Sequence, residues 1–260
     1  MRTGNPALNA NTFENFGFSS PAAGATAADT MTVGGTVQKT FFLLVLAFAS
    51  ACYTWTQTFR LVEADPAGTI GSVAPWVFGG AIVGLITAVV ICFKQTWAPM
   101  LAPVYALAQG LFMGGISAGF EAQYPGIVVQ AVGGTFGTLF CLLAAYQSGL
   151  IKATENFKLG IVAATGGIAM LYLVMFVARL FGFPLFDSLF GSGLIGIGFS
   201  VVVVAIAALN LVLDFDFIEQ GAERGAPKYL EWYGGFALMV TLVWLYLEIL
   251  RLLAKLQDRR

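Results

Sequence analysis

Histidine is absent from the 260 residues, and with it go the usual proton shuttle and the commonest transition-metal ligand. Charge is scarce as well. Thirteen Lys and Arg against fourteen Asp and Glu make up 10% of the chain, whereas soluble domains carry about 25%. A net charge of −1 and no long basic run exclude a nucleic-acid-binding surface. Only three cysteines occur, Cys52, Cys92 and Cys141, in separate apolar stretches without CxxC spacing, which excludes a zinc site or a disulfide framework and reads as small buried residues.

Apolar residues fill the space that charge leaves, at 58% of the sequence. One soluble core cannot cover that much apolar surface, so the expectation is an all-α, polytopic membrane protein in the lipid bilayer. Runs of about twenty apolar residues, each long enough to cross a ~30 Å hydrocarbon core as a helix, recur from residue 39 onward. Seven are read, at Thr40–Phe59, Trp76–Phe93, Pro99–Phe120, Ile127–Tyr146, Leu159–Leu180, Gly191–Leu213 and Tyr233–Leu253. Trp76, Trp97 and Trp232 fall at ends, where an amphipathic ring prefers the headgroup region. Pro75 and Pro99 are placed at helix starts, which tolerate a missing N–H.

Residues 1–38 are rich in Ala, Gly, Ser, Thr and Asn without an apolar period, and read as a disordered tail ahead of a transmembrane domain at 39–260. Removing residues 1–35 is therefore expected to leave the bundle's stability unchanged. Basic residues do not fix the orientation. One side carries Arg2, Lys39, Lys94, Lys152, Lys158, Arg224 and Lys228; the other carries Arg60 and Arg179, with Arg251, Lys255, Arg259 and Arg260 at the C-terminus.

Glycines at small-xxx-small spacing, such as Gly80 with Gly84 and Gly110 with Gly114, suit close helix packing within one bundle. Gly115-Ile-Ser117-Ala-Gly119 matches GxSxG, but that motif acts on a strand-to-helix elbow beside a base. Here it lies in an apolar helix of a chain without histidine, so the protein is read as no enzyme and as needing no cofactor. Gly191-Ser-Gly-Leu-Ile-Gly196 likewise reads as a helix start rather than a dinucleotide fingerprint.

The chemistry is expected where an apolar helix runs into acids, Asn210-Leu-Val-Leu-Asp-Phe-Asp-Phe-Ile-Glu-Gln-Gly-Ala-Glu-Arg-Gly225. Carboxylates in a bilayer are costly and are usually kept for an ion, a proton or a substrate. On a helix Asp214 and Asp216 point about 200° apart. Asp214 continues the face of Ala207 and Asn210, whereas Asp216 joins Glu219, Gln220 and Glu223 on a face that reads as solvated, so Asp214 is the preferred interior acid. The last span contributes Glu248, either as a partner for Asp214 or in a local i,i+3 pair with Arg251. Oxygen ligands without His or Cys suit calcium or magnesium, and two carboxylates sharing a site would hold a proton between them.

With these residues in view, the sequence from about Phe41 to its end resembles the Bax inhibitor family, the transmembrane Bax inhibitor motif proteins, in a bacterial branch. The likeness is densest at Ala131-Val-Gly-Gly-Thr-Phe-Gly-Thr-Leu-Phe140, at the acidic stretch and at Leu245–Ala254. The resemblance implies a multi-pass protein of a bacterial cytoplasmic membrane, with a pH-sensitive calcium leak gated by a pair of acids on the sixth and seventh helices. Carried over by position, the first acid falls on Asp214, with Asp216 as the alternate from its Phe-Asp pair. The second falls on Thr241, with Glu248 the next carboxylate, and Asn210 and Arg251 would support the gate. A non-conducting protein that modulates a membrane partner, such as a protease or stress complex, is the other class the resemblance implies.

Overall fold

The computed structural model describes residues 30–64, 69–182 and 191–259. Among the described residues, seven helices are long and apolar enough to cross a membrane. They are α1 (Val33–Ala64), α2 (Thr69–Phe93), α3 (Ala98–Gln123), α4 (Ile127–Gln147), α5 (Glu155–Leu180), α6 (Leu194–Glu223) and α7 (Leu230–Gln257). A single 3₁₀ turn, Gln95–Trp97, joins α2 to α3. The expected all-α seven-helix bundle is what the chain forms. A helix satisfies its own backbone polar groups, which lipid cannot do.

The last helix is the hub. α7 is the most buried of the seven and contributes to three apolar clusters on different faces. Leu238, Leu242 and Leu245 meet Ala207, Leu211, Phe215 and Ile218 of α6. Phe236 and Met239 meet Leu43 of α1 and Tyr105 of α3. Tyr246, Leu250 and Ala254 meet Ile127 and Ala131 of α4. Around this hub, α3 packs closely on both α1 and α2.

Several helix ends differ from the sequence reading. α6 runs on through the acids to Glu223 and stops at Gly225, whose φ of 62° is left-handed. Gly225 N–H bonds to Ala222 C=O at 3.1 Å and Ala226 N–H to Gly221 C=O at 3.0 Å, the paired bonds of a Schellman cap. Hydropathy fades at Leu213, but the hydrogen-bond ladder does not. α2 begins at Thr69, so Pro75 lies inside a helix rather than at its start, while Pro99 does sit in the first turn of α3. Gly193 caps α6, in keeping with a helix start at 191–196.

The boundary of the tail at residue 38 is also corrected. Residues 1–29 lie outside the described residues, but 30–38 are ordered against α6 and α7. Thr30 forms an antiparallel bridge with Pro227, and Met31 N–H donates to Ala226 C=O at 2.7 Å. The Met31 side chain is buried beside Ile218 and Leu230. Thr32 then starts α1, its hydroxyl oxygen accepting from Gly35 N–H at 3.0 Å. Removal of residues 1–35 would therefore take away a docked segment, and the expectation of unchanged stability is withdrawn. The three cysteines are exposed rather than buried.

Candidate functional site

α6 carries its two aspartates to opposite neighbours, as the 200° separation requires. Asp214 faces α7, where the Thr241 hydroxyl is its hydrogen-bond partner. Its Oδ2 atom is buried with no hydrogen-bond partner among the described residues. Thr241 itself is 8% exposed, so the pair sits inside the bundle about nine residues, or ~14 Å, from the end of α6. An unpaired carboxylate oxygen in such surroundings is costly unless a proton, a water or a cation meets it.

Asp216 turns to α5 instead of to solvent. Lys158 Nζ lies 2.8 Å from Asp216 Oδ2, and Gln220 Nε2 donates to the same oxygen at 2.6 Å. Glu219 and Glu223 remain exposed, as expected for that face. Asn210 also turns to α5, where its Nδ2 donates to Thr165 Oγ1 at 2.8 Å.

Glu248 is 2% exposed and does not reach Asp214. Seven residues separate it from Thr241, which sets it about 10 Å further along α7. Its carboxylate pairs with Arg251 at 2.9 Å and accepts from Tyr172 of α5 at 3.0 Å. Arg251 also donates to the Tyr172 hydroxyl at 3.0 Å and lies over its ring. The i,i+3 pair is thus formed, but within the bundle rather than in bulk solvent. One turn on, the Lys255 ammonium donates to Gly196 C=O at 3.0 Å and Ser200 Oγ at 2.9 Å. Among the described residues no three His, Cys, Asp or Glu side chains gather to hold a metal ion; Asp214 and Glu248 are not joined into a resident calcium site.

Asp214, preferred from its helix face, and Thr241, the position the family resemblance gave as an alternate, lie face to face in the structure. The partners on α5, Lys158, Thr165 and Tyr172, were missed, although their seven-residue spacing was present in the sequence. Glu231 was missed too. It is 1% exposed and binds Thr32 N–H at 3.0 Å, the Thr32 hydroxyl at 2.9 Å and the Lys39 ammonium. Ser117 of the GxSxG stretch is buried and hydrogen-bonded to the Tyr246 hydroxyl at 2.6 Å.

A family model described as Bax inhibitor 1 like matches residues 5–258. The chain belongs to that family. No match was found among curated proteins, and none among solved structures. The Bax inhibitor 1 like model covers all seven helices, so Asp214, Thr241 and Glu248 all lie within the family region.

At the opposite end of this family member, Tyr124 donates to the Asp258 carboxylate, which also accepts from Ser192 Oγ at 3.0 Å. That hydrogen bond, then desolvation, holds the Tyr124 hydroxyl above its ordinary value of 10.0. Because the neutral phenol is the form favoured in the fold, the link is intact below about pH 10 and is lost as pH rises through the shifted value. Asp258→Asn should bring the Tyr124 ionisation back toward the ordinary phenol range in an ultraviolet titration read against Tyr124→Phe. An unchanged titration would show that Asp258 does not hold Tyr124.

Proposed function

We propose that this protein is a passive cation pathway of a bacterial cytoplasmic membrane. Calcium is the transported ion, and protonation of Asp214 is the switch. The observation that carries the reading is the Asp214 Oδ2 atom, buried in the bundle opposite Thr241 without a partner among the described residues. Ionised, that carboxylate needs water or a cation at its free oxygen; protonated, it can rest as a neutral group between α6 and α7. Thr241 stands where the family resemblance puts a second acid, so the gate works with one carboxyl and a hydroxyl. Glu248, held by Arg251 and Tyr172, serves the packing of α5 and α7 rather than the switch. The reaction is transport, with no catalytic group and no cofactor.

The N-terminus is assigned to the cytoplasmic side. The basic residues near helix ends favour it, with Lys94 and Lys152 on the side of the N-terminus together with the loop residues Arg224 and Lys228, against Arg60 and Arg179 on the other.

The test is calcium entry into liposomes at several pH values. Wild type is expected to show a pH-dependent leak that Asp214→Asn flattens, Glu248→Gln retains and Thr241→Asp displaces along the pH axis. Loss of the pH response in Asp216→Asn alone would move the switch to that residue. No wild-type flux would favour the second reading, a non-conducting membrane protein that modulates a protease or stress complex, which the hydroxyl at Thr241 in place of a second acid favours.

A further inference from the structure

α5 places a polar side chain every seventh residue on the face it turns to the bundle, at Lys158, Thr165 and Tyr172. Buried Ile161 and Ile168 alternate with them. Seven residues make nearly two turns, so the three polar groups form one line spaced by about 10 Å, extending ~21 Å across a ~30 Å hydrocarbon core. Each has a polar partner across the seam. Lys158 meets Asp216 at 2.8 Å, Thr165 accepts from Asn210 at 2.8 Å, and Tyr172 donates to Glu248 at 3.0 Å.

Helix packing holds α5 less firmly than these contacts suggest. It is the least buried of the seven spans, and its only extensive neighbour among the described residues is α6. Lipid competes on equal footing for its apolar side chains, so their contact with α6 gives little drive for docking. The polar rungs are also each individually weak in a membrane. An open cleft of about 510 Å³, lined in part by Tyr146, Lys152, Thr154, Asp216 and Glu219, lies at the Asp216 end of the seam. Asp216 of the first rung borders this opening. The middle rung adjoins the proposed switch, because Asn210 stands one helical turn from Asp214 on α6.

We propose that the seam between α5 and the α6–α7 pair is a water-accessible cation route, closed in this state by its three rungs, with α5 as the moving wall. When α5 separates, Asp216, Asn210, Thr165 and Glu248 exchange each other for water, presenting oxygen ligands at successive depths to a hydrated cation. This inference rests on the cation-pathway reading and adds to it the element that moves and the residues that line the route.

The test uses full-length protein with Cys52, Cys92 and Cys141 replaced by alanine. Thr165→Cys is expected to react with a small hydrophilic, cationic methanethiosulfonate added from the aqueous phase at least tenfold faster than Leu173→Cys, which is exposed on the lipid side of α5. Oxidising the double variant Thr165→Cys with Asn210→Cys should cut calcium entry at least tenfold, and a reductant should restore it. Equal labelling of Thr165→Cys and Leu173→Cys, or calcium entry indifferent to the cross-link, would overturn the proposal. The second outcome leaves the Asp214 switch intact. Fast labelling at 165 in a protein without wild-type calcium entry sinks the pathway reading instead, and leaves only the water-filled seam.

Discussion

Gly114→Val is expected to deplete the folded bundle from detergent extracts. α3 lies directly on α1 through Gly110 and Gly114, where main-chain atoms of Ala47 and Ala51 lie beside the Ser50 and Thr54 hydroxyls. A Cβ on Gly114 would fall 2.8 Å from the Ala51 Cα, and one on Gly110 would fall 2.8 Å from the Ala47 carbonyl carbon. Side chains absorb such overlaps by changing rotamer, at a typical cost of 1–3 kcal/mol. A backbone in mid-helix cannot, so about 3 kcal/mol or more is expected, and α1 must move away from α3. Gly119 is the control, since nothing lies within 4 Å of a Cβ built there. Gly119→Ala should melt with wild type, whereas Gly114→Val should show a lower melting temperature or no monodisperse peak in size-exclusion chromatography. Equal melting of the two variants would mean that α1 and α3 are not in this contact.

Glu231→Ala is the second large effect, acting at the other end of α1. Glu231 performs the part of the acid in a capping box, but from a different helix: it accepts from the N–H and the hydroxyl of Thr32, while Thr32 caps Gly35. The same carboxylate pairs with Lys39, whose ammonium lies 5.7 Å from the Trp232 ring centre. Truncation leaves Lys39 largely covered without its counter-charge and the Thr32 donors without an acceptor. Breaking a buried pair on one side costs about 3 kcal/mol, or roughly 10 °C in melting temperature for a chain of this size. Deletion through Thr32 should reproduce most of the Glu231→Ala loss. A shift below about 2 °C in Glu231→Ala would show that the start of α1 is not clamped.

These two sites mark the limits of reading the chain in one dimension. The spacing of Gly110 and Gly114 announced a close helix contact, but nothing in it named α1 as the partner. Thr36 and Gln38 looked like tail because they are polar, yet they lie in the first turns of α1, where Glu231 satisfies the helix start. The same blindness affected Asp216. Its helical face was correctly separated from that of Asp214, but the face was taken as solvated because Lys158, 58 residues earlier, could not be seen to cover it.

Length and hydropathy by themselves determined seven membrane helices, because each apolar run must close its own backbone hydrogen bonds in lipid. The 3.6-residue period separated Asp214 from Asp216, and the resemblance of the acidic stretch gave the family. Tertiary structure alone decided that Asp214 meets Thr241, that Glu248 keeps its local Arg251 pair and gains Tyr172 rather than Asp214, and that α7 is the hub with α5 at its edge. Hydropathy is a property of each residue taken singly, whereas a buried polar group is defined by the partner that satisfies it. Those partners come from helices far apart in the chain.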